Sequence, residues 1–257
     1  MVSKIEDNKN RTLMIGLTPP LEGGSQMHIA ELAKRIDCDV LTQKGSICNN
    51  KIEMPDSKLK SEFMRNMAFA IVVYFYSFKL MFWKKKYKTI HINENLLYFL
   101  APLLCWRYKI VTTVHGLKGF KFYDNKLLWF FFKNALRHSN KIIAVSLEDK
   151  KLLDKECKYA NITYIANGVD LSLYKNINPL VEKKIMFIGR VHEQKGIDVL
   201  LEAFCNNTKD IQLDLEIIGD ANNDYAKMLE KKYPLFNRKI IWRGNIQDRA
   251  EIVRSLK

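Results

Sequence analysis

An α/β fold of two doubly wound parallel-sheet domains is predicted from three observations. Strand-like and helix-like segments alternate along the whole 257-residue chain, which argues for a parallel sheet covered by helices. Apolar runs that read as strands end in glycine, proline or small polar residues, where a crossover begins. The alternation pauses once, at Asp170–Glu182, where Asn176, Asn178 and Pro179 read as a linker, and then starts again. Domains at residues 1–175 and 180–257 follow, the second short for its type.

In chain order, Thr12–Leu17 is an apolar run closed by Thr18-Pro19-Pro20, which must turn or stay extended because proline restricts its predecessor. Gly23-Gly24 opens a helix over Ser25–Ile36, with Ile29, Leu32, Ala33 and Ile36 at helical spacing. Strands are expected at Cys38–Thr42, Lys88–Asn93, Lys109–His115, Lys141–Ser146 and Ile162–Ile165, with helices near 61–84, 95–106, 126–138 and 147–158. After the linker, Ile185–Ile188 reads as a buried strand ending in Gly189. A helix at 196–205, a strand at Leu213–Gly219, a helix at 223–232, a strand at Lys239–Arg243 and a last helix from Asp248 complete the order.

Composition narrows the class. Hydrophobic residues make up 47% and charged residues 27%, which excludes a disordered chain. The net charge of +14 is unevenly placed: residues 1–178 hold 28 Lys and Arg against 16 Asp and Glu, while residues 179–257 hold 14 against 12. A partner drawn by charge is therefore expected on the first domain. Nucleic acid is not the expected partner, because no recognition motif accompanies the charge. Five scattered cysteines without a C-x-x-C pair read as reduced thiols of a cytoplasmic protein, and no metal site is expected because the five histidines do not cluster with them. Met1–Arg11 is polar and charged, and does not read as a signal peptide.

Ligands of open α/β sheets bind beyond the carboxyl ends of the strands, and four candidate segments fall there. Pro20-Leu21-Glu22-Gly23-Gly24-Ser25-Gln26 can offer backbone N–H groups and a helix N-terminus to an anion, or simply turn into the helix. His115-Gly116 ends a strand with an imidazole that can donate to a hydroxyl or phosphate, or serve the structure. Asn167-Gly168 in Ile165-Ala166-Asn167-Gly168-Val169-Asp170 is a turn signal. Gly189-Arg190-Val191-His192-Glu193-Gln194-Lys195-Gly196 sets two cations beside a helix start, a receptor for a diphosphate.

The order of these segments resembles the retaining glycosyltransferases of family 4, whose GT-B fold sets two Rossmann-like domains face to face. Gly23-Gly24-Ser25-Gln26 is similar to the glycine-rich loop of that family. His115-Gly116, Ala144-Val145-Ser146, Asn167-Gly168-Val169-Asp170, Gly189-Arg190 with Lys195-Gly196, Ile217-Ile218-Gly219 and Trp242-Arg243-Gly244 resemble its later landmarks. The resemblance implies a nucleotide-diphosphate-sugar donor on the second domain and a hydroxyl acceptor on the first. Arg190 and Lys195 would hold the donor diphosphate and replace a metal ion at the leaving group; no other cofactor is implied. Gly23 and Gly24 would present amides to the phosphates, His115 would contact the transferred sugar as the catalytic residue, and Gly116, Asn167 and Gly189 would line the cleft. The sequence departs from the pattern in one respect: it stops before the family's Glu-x7-Glu segment. The donor domain is therefore expected to be incomplete, and activity to be impaired or to need a polypeptide carrying the missing half. A non-catalytic, membrane- or partner-binding remnant is the alternative. Glu148 and Glu156 have that spacing but fall on a surface helix of the first domain, and no role is assigned to them.

Met67–Phe78 carries no charge over 12 residues, and Leu80–Trp83 continues it past Lys79. It reads as a helix buried on most sides, as an interfacial helix with Lys84-Lys85-Lys86 at anionic lipid, or as a span, though about 20 apolar residues are needed to cross a bilayer. With the charge excess, it suggests a peripheral protein at the inner face of the cell membrane and a lipid-linked or saccharide acceptor, as in polysaccharide or glycolipid assembly.

Overall fold

The computed structural model describes residues 11–19, 23–55, 62–82, 86–117, 125–158, 160–174, 184–207, 213–234, 240–246 and 249–255. The chain forms two compact units, Met1–Gly168 and Val169–Lys257. The 3₁₀ turn Leu171–Tyr174, placed in the first domain by the sequence, packs on the last helix of the second unit.

The first unit is built on a seven-stranded, wholly parallel sheet. Its strands are β1 (Thr12–Ile15), β2 (Cys38–Gln43), β3 (Lys51–Met54), β4 (Thr89–Ile92), β5 (Lys109–Val114), β6 (Lys141–Ala144) and β7 (Ile162–Tyr164), in the order β3-β2-β1-β4-β5-β6-β7. The order reverses between β1 and β4, which makes a switch point there. Helix α1 (Gly24–Ala33) covers one face, with Ile29 packed on Met14, Cys38 and Val40. The other face carries α2 (Glu62–Phe82), the 3₁₀ turn Asn95–Leu100 with the short α3 (Ala101–Leu104), α4 (Lys126–Leu136) and α5 (Leu147–Glu156). Their buried residues join Leu13, Ile15, Leu41, Ile90, Ile92, Ile110 and Ile142 in one core. Alternate residues of each strand thus serve opposite faces, and each large side chain so buried contributes about 1.5–3 kcal/mol.

Three details differ from the sequence reading. Lys51–Met54 is a strand although Lys51 and Glu53 are charged, because β3 stands at the sheet edge and pairs with β2 alone. The expected single helix at 95–106 is a 3₁₀ turn followed by one α turn. Pro102 lacks the N–H that a continuous α-helix would donate to Tyr98, and the Ala101 N–H bonds the Tyr98 carbonyl instead. The strand expected to be buried at 185–188 leaves Ile188 exposed, because it has one neighbouring strand among the described residues.

That strand, β8 (Lys184–Ile188), pairs in parallel with β9 (Asp214–Ile218), which pairs with β10 (Ile240–Gly244). Between them run the 3₁₀ turn Glu193–Lys195 with α6 (Ile197–Asn207), then α7 (Asp224–Lys232), and α8 (Arg249–Ser255) follows. Val191, Ile197, Leu201, Leu215, Ile217, Ala226 and Leu229 form the core of this unit. Gly219 is required by close approach: a Cβ there would stand 1.8 Å from the Gly189 carbonyl oxygen. Glu216, buried on β9, accepts from Arg243 at 2.9 Å and lies 3.7 Å from Lys184, tying the three strands.

Candidate functional site

In the first unit, the carboxyl ends of β1, β4 and β5 converge with the start of α1. The β1 exit is fixed by Gln43 at the end of β2. Its side chain accepts from the Thr18 N–H at 3.0 Å and donates to the Thr18 carbonyl at 2.6 Å, while the Thr18 hydroxyl meets Thr42 and Ser46. Gly23 and Gly24 stand at the N-terminus of α1, Gly24 exposed; Pro20, Leu21 and Glu22 lie outside the described residues. One turn on, the ring of His28 meets that of His115 edge to face at 5.2 Å. Helix α1 and the β5 exit are thereby joined.

His115 directly follows β5. Its Nε2 is buried and has no hydrogen-bond partner among the described residues, so it is available to a ligand hydroxyl. Burial, helped by His28, lowers its pKa to about 4, and a neutral ring is present at pH 7. The loop turns at Gly116, whose φ of +74° is left-handed. Asp149 holds this turn: its carboxylate accepts from the Gly116 N–H at 3.1 Å and the Leu117 N–H at 2.9 Å. Ser146 caps α5 through the Asp149 N–H and so fixes the carboxylate. Behind His115, His91 bonds Thr113 at 2.7 Å, and its pKa falls to about 3 through burial.

Glu94, just past β4, accepts from the Leu17 N–H at 3.3 Å. Burial pushes its carboxyl up to about 7. Neighbouring Asn93 leaves its buried Oδ1 without a partner among the described residues. His28, Glu94 and Asn93 were not singled out in the sequence; the only signal for Asn93 and Glu94 was their place at the carboxyl end of β4, and for His28 its place early in the helix after the Gly-Gly pair.

In the second unit, Gly189 ends β8 with its N–H on the Ile218 carbonyl at 2.9 Å, and Arg190 stands exposed beyond it. Val191 turns into the core, so the loop has one anchored residue. His192 caps the 3₁₀ turn through the Gln194 N–H, and Gly196 at φ +65° closes that turn just before α6. Lys195 is exposed at the amino end of that helix, on the same loop as Arg190. Asn223 fastens this loop to the next: its Nδ2 donates to the Val191 carbonyl at 3.0 Å and its Oδ1 caps α7 at Ala226. Two exposed cations on a fixed loop at a helix N-terminus suit a diphosphate.

Asn167 lies exposed three residues beyond β7, with β6 between that strand and β5. Glu156 accepts from Lys133 and Trp129 and joins α4 to α5, a structural role. No three His, Cys, Asp or Glu side chains gather as metal ligands would among the described residues.

Residues 23–173 match the family model of Glycosyltransferase Family 4, and residues 182–257 that of Glycosyl transferases group 1. Over 110 residues the chain is 34% identical to an uncharacterized glycosyltransferase of Methanocaldococcus jannaschii, MJ1178; the match spans 43% of this chain but only 29% of that relative. Among solved structures, sucrose-phosphate synthase of Thermosynechococcus elongatus superposes with a TM-score of 0.71 at 18% identity, over 95% of this chain and 72% of that one. Alr3699/HepE of Anabaena, solved with UDP and glucose, gives 0.68 at 15% identity, over 95% and 71%.

Proposed function

The chain belongs to glycosyltransferase family 4 and has the GT-B fold, and on that premise we propose that it transfers a sugar from a nucleotide diphosphate donor to a hydroxyl acceptor, with retention of the anomeric configuration. The observation that carries the proposal is the loop after β8. Arg190 and Lys195 reach solvent there at the amino end of α6, from a backbone fastened by Val191 and Asn223. These cations bind the donor diphosphate and stabilise the charge that grows on it as the glycosidic bond breaks, without a metal ion. The departing phosphate oxygen then takes the proton of the acceptor hydroxyl.

In the first unit, His115 is assigned to the transferred sugar. Its buried, unpartnered Nε2 suits a sugar hydroxyl, and its depressed pKa keeps the ring neutral, able to donate or accept according to tautomer. Gly23 and Gly24 offer amides at the start of α1 to an anionic group of a substrate. The acceptor is proposed to be lipid-linked or a growing saccharide, met at an anionic membrane surface, because the charge excess lies on the first unit.

The test is sugar transfer from a panel of nucleotide sugars to membrane lipid extracts, with product configuration read by NMR. Retention is expected, and His115→Ala should lower kcat by about 100-fold, the scale of one lost transition-state contact. Inverted product, or a His115→Ala variant at full rate, contradicts the assignment.

A further inference from the structure

Helix α2 is apolar on two opposite sides. Phe69, Ala70, Val73 and Leu80 bury one stripe in the core. Met64, Met67, Ile71, Phe75, Phe78 and Phe82 recur every three or four residues along another, and all are exposed, Phe75 by 72% and Phe82 by 75%. Soluble monomers rarely leave so long an apolar stripe in water. The 95–104 segment packs against both α2 and α4, so the exposed Phe130 and Phe131 of α4 lie on the same side of the sheet.

The part of the chain that carries this stripe is strongly basic in sequence. Residues 63–123 hold ten Lys and Arg and a single acid, Glu94, and that carboxylate is turned to the Leu17 amide. A second copy of the chain would bring the same positive surface against itself, which opposes an isologous dimer through this face. A bilayer with anionic headgroups satisfies both features. No helix among the described residues is long and apolar enough to cross a membrane, so the helix is suited to lie in the interface.

We propose that α2 docks the protein on an anionic membrane, lying in the plane of the surface with its Met64–Phe82 stripe among the acyl chains and the surrounding Lys and Arg residues at the lipid phosphates. This deepens the proposed function and rests on it only for the reason a membrane is visited; the helix face stands independently of the sugar chemistry. It also chooses among the three readings of Met67–Trp83, with one stripe serving the core and the opposite one lipid.

The test is co-sedimentation of the full chain with vesicles of phosphatidylcholine alone and of phosphatidylcholine mixed with phosphatidylglycerol. Binding should be at least about tenfold stronger to the mixed vesicles and should weaken with salt. Phe75→Asp with Phe82→Asp should abolish it while leaving the thermal midpoint unchanged, because both side chains are already in water. A Phe75→Trp variant keeps the face apolar, and its emission should shift to the blue only with mixed vesicles. Equal binding to both lipids, undiminished binding of the Asp variant, or a dimer in solution that the Asp substitutions split overturns the proposal. Nucleoside diphosphate binding without lipid is measured on the same samples: its absence beside intact vesicle binding removes the transferase reading alone, and the converse removes the docking alone.

Discussion

Asp149 shows how one carboxylate can set the geometry of a site it does not line. Its two bonds reach back to Gly116 and Leu117 and keep the His115 turn closed. Glu94 acts differently, through its proton. Its carboxyl titrates near 4.5 when unfolded and about 7 when buried, so folding takes up a proton between those values. The stability this contributes is complete below about pH 4.5 and is lost as pH rises through 7. His115 and His91 run the other way: their contribution is full above 6.5 and is lost as pH falls toward 4 and 3. Glu94→Gln should therefore melt close to wild type at pH 5 and above it at pH 8; a difference in melting temperature that does not change with pH would refute the raised carboxyl. Of these residues only His115 was legible in the sequence, because it stands at a strand end before a glycine. Asp149 acts on residues more than thirty positions away, and its one local signal, Ser146 three residues before it, reads as an ordinary helix cap.

At the scale of elements, the strand–helix alternation was legible because each strand is a short apolar run and most helices have one apolar stripe. Edges were harder. β3 presents charge to solvent and has a partner on one side only, so its pattern resembles a loop, and β8 reads as a buried strand but pairs with β9 alone among the described residues. Close approach of backbones leaves no mark beyond the glycine itself. Gly219→Ala would press a methyl group against the Gly189 carbonyl, and the shift needed should cost about 3 kcal/mol or more. Hydrogen exchange should show lost protection in β8–β10 with β1–β7 unchanged; native protection in both sheets would show that the approach is relieved cheaply. Asn223 both caps α7 and fastens the cationic loop, and the sequence marked it only as the start of the helix expected at 223–232.

Over the whole molecule, two kinds of surface are assigned to two units. The excess positive charge and the exposed aromatic stripe belong to the first, and the two exposed cations of the loop before α6 to the second. The family landmarks made that division readable from sequence, since each lies within one short segment; the exposed side of α2 stood there only as one of three readings, because apolar residues on two sides of a helix look like deep burial until the fold leaves one of them bare. The central claim is that the loop after β8 takes a nucleoside diphosphate. Isothermal titration of UDP, GDP and ADP, each against its monophosphate, tests it most directly. One diphosphate should bind at least about tenfold tighter than its monophosphate, and the Arg190→Ala, Lys195→Ala variant should lose on the order of 100-fold in affinity, as expected for two charge-assisted contacts. No preference for a diphosphate, or unchanged affinity in the variant, would contradict it.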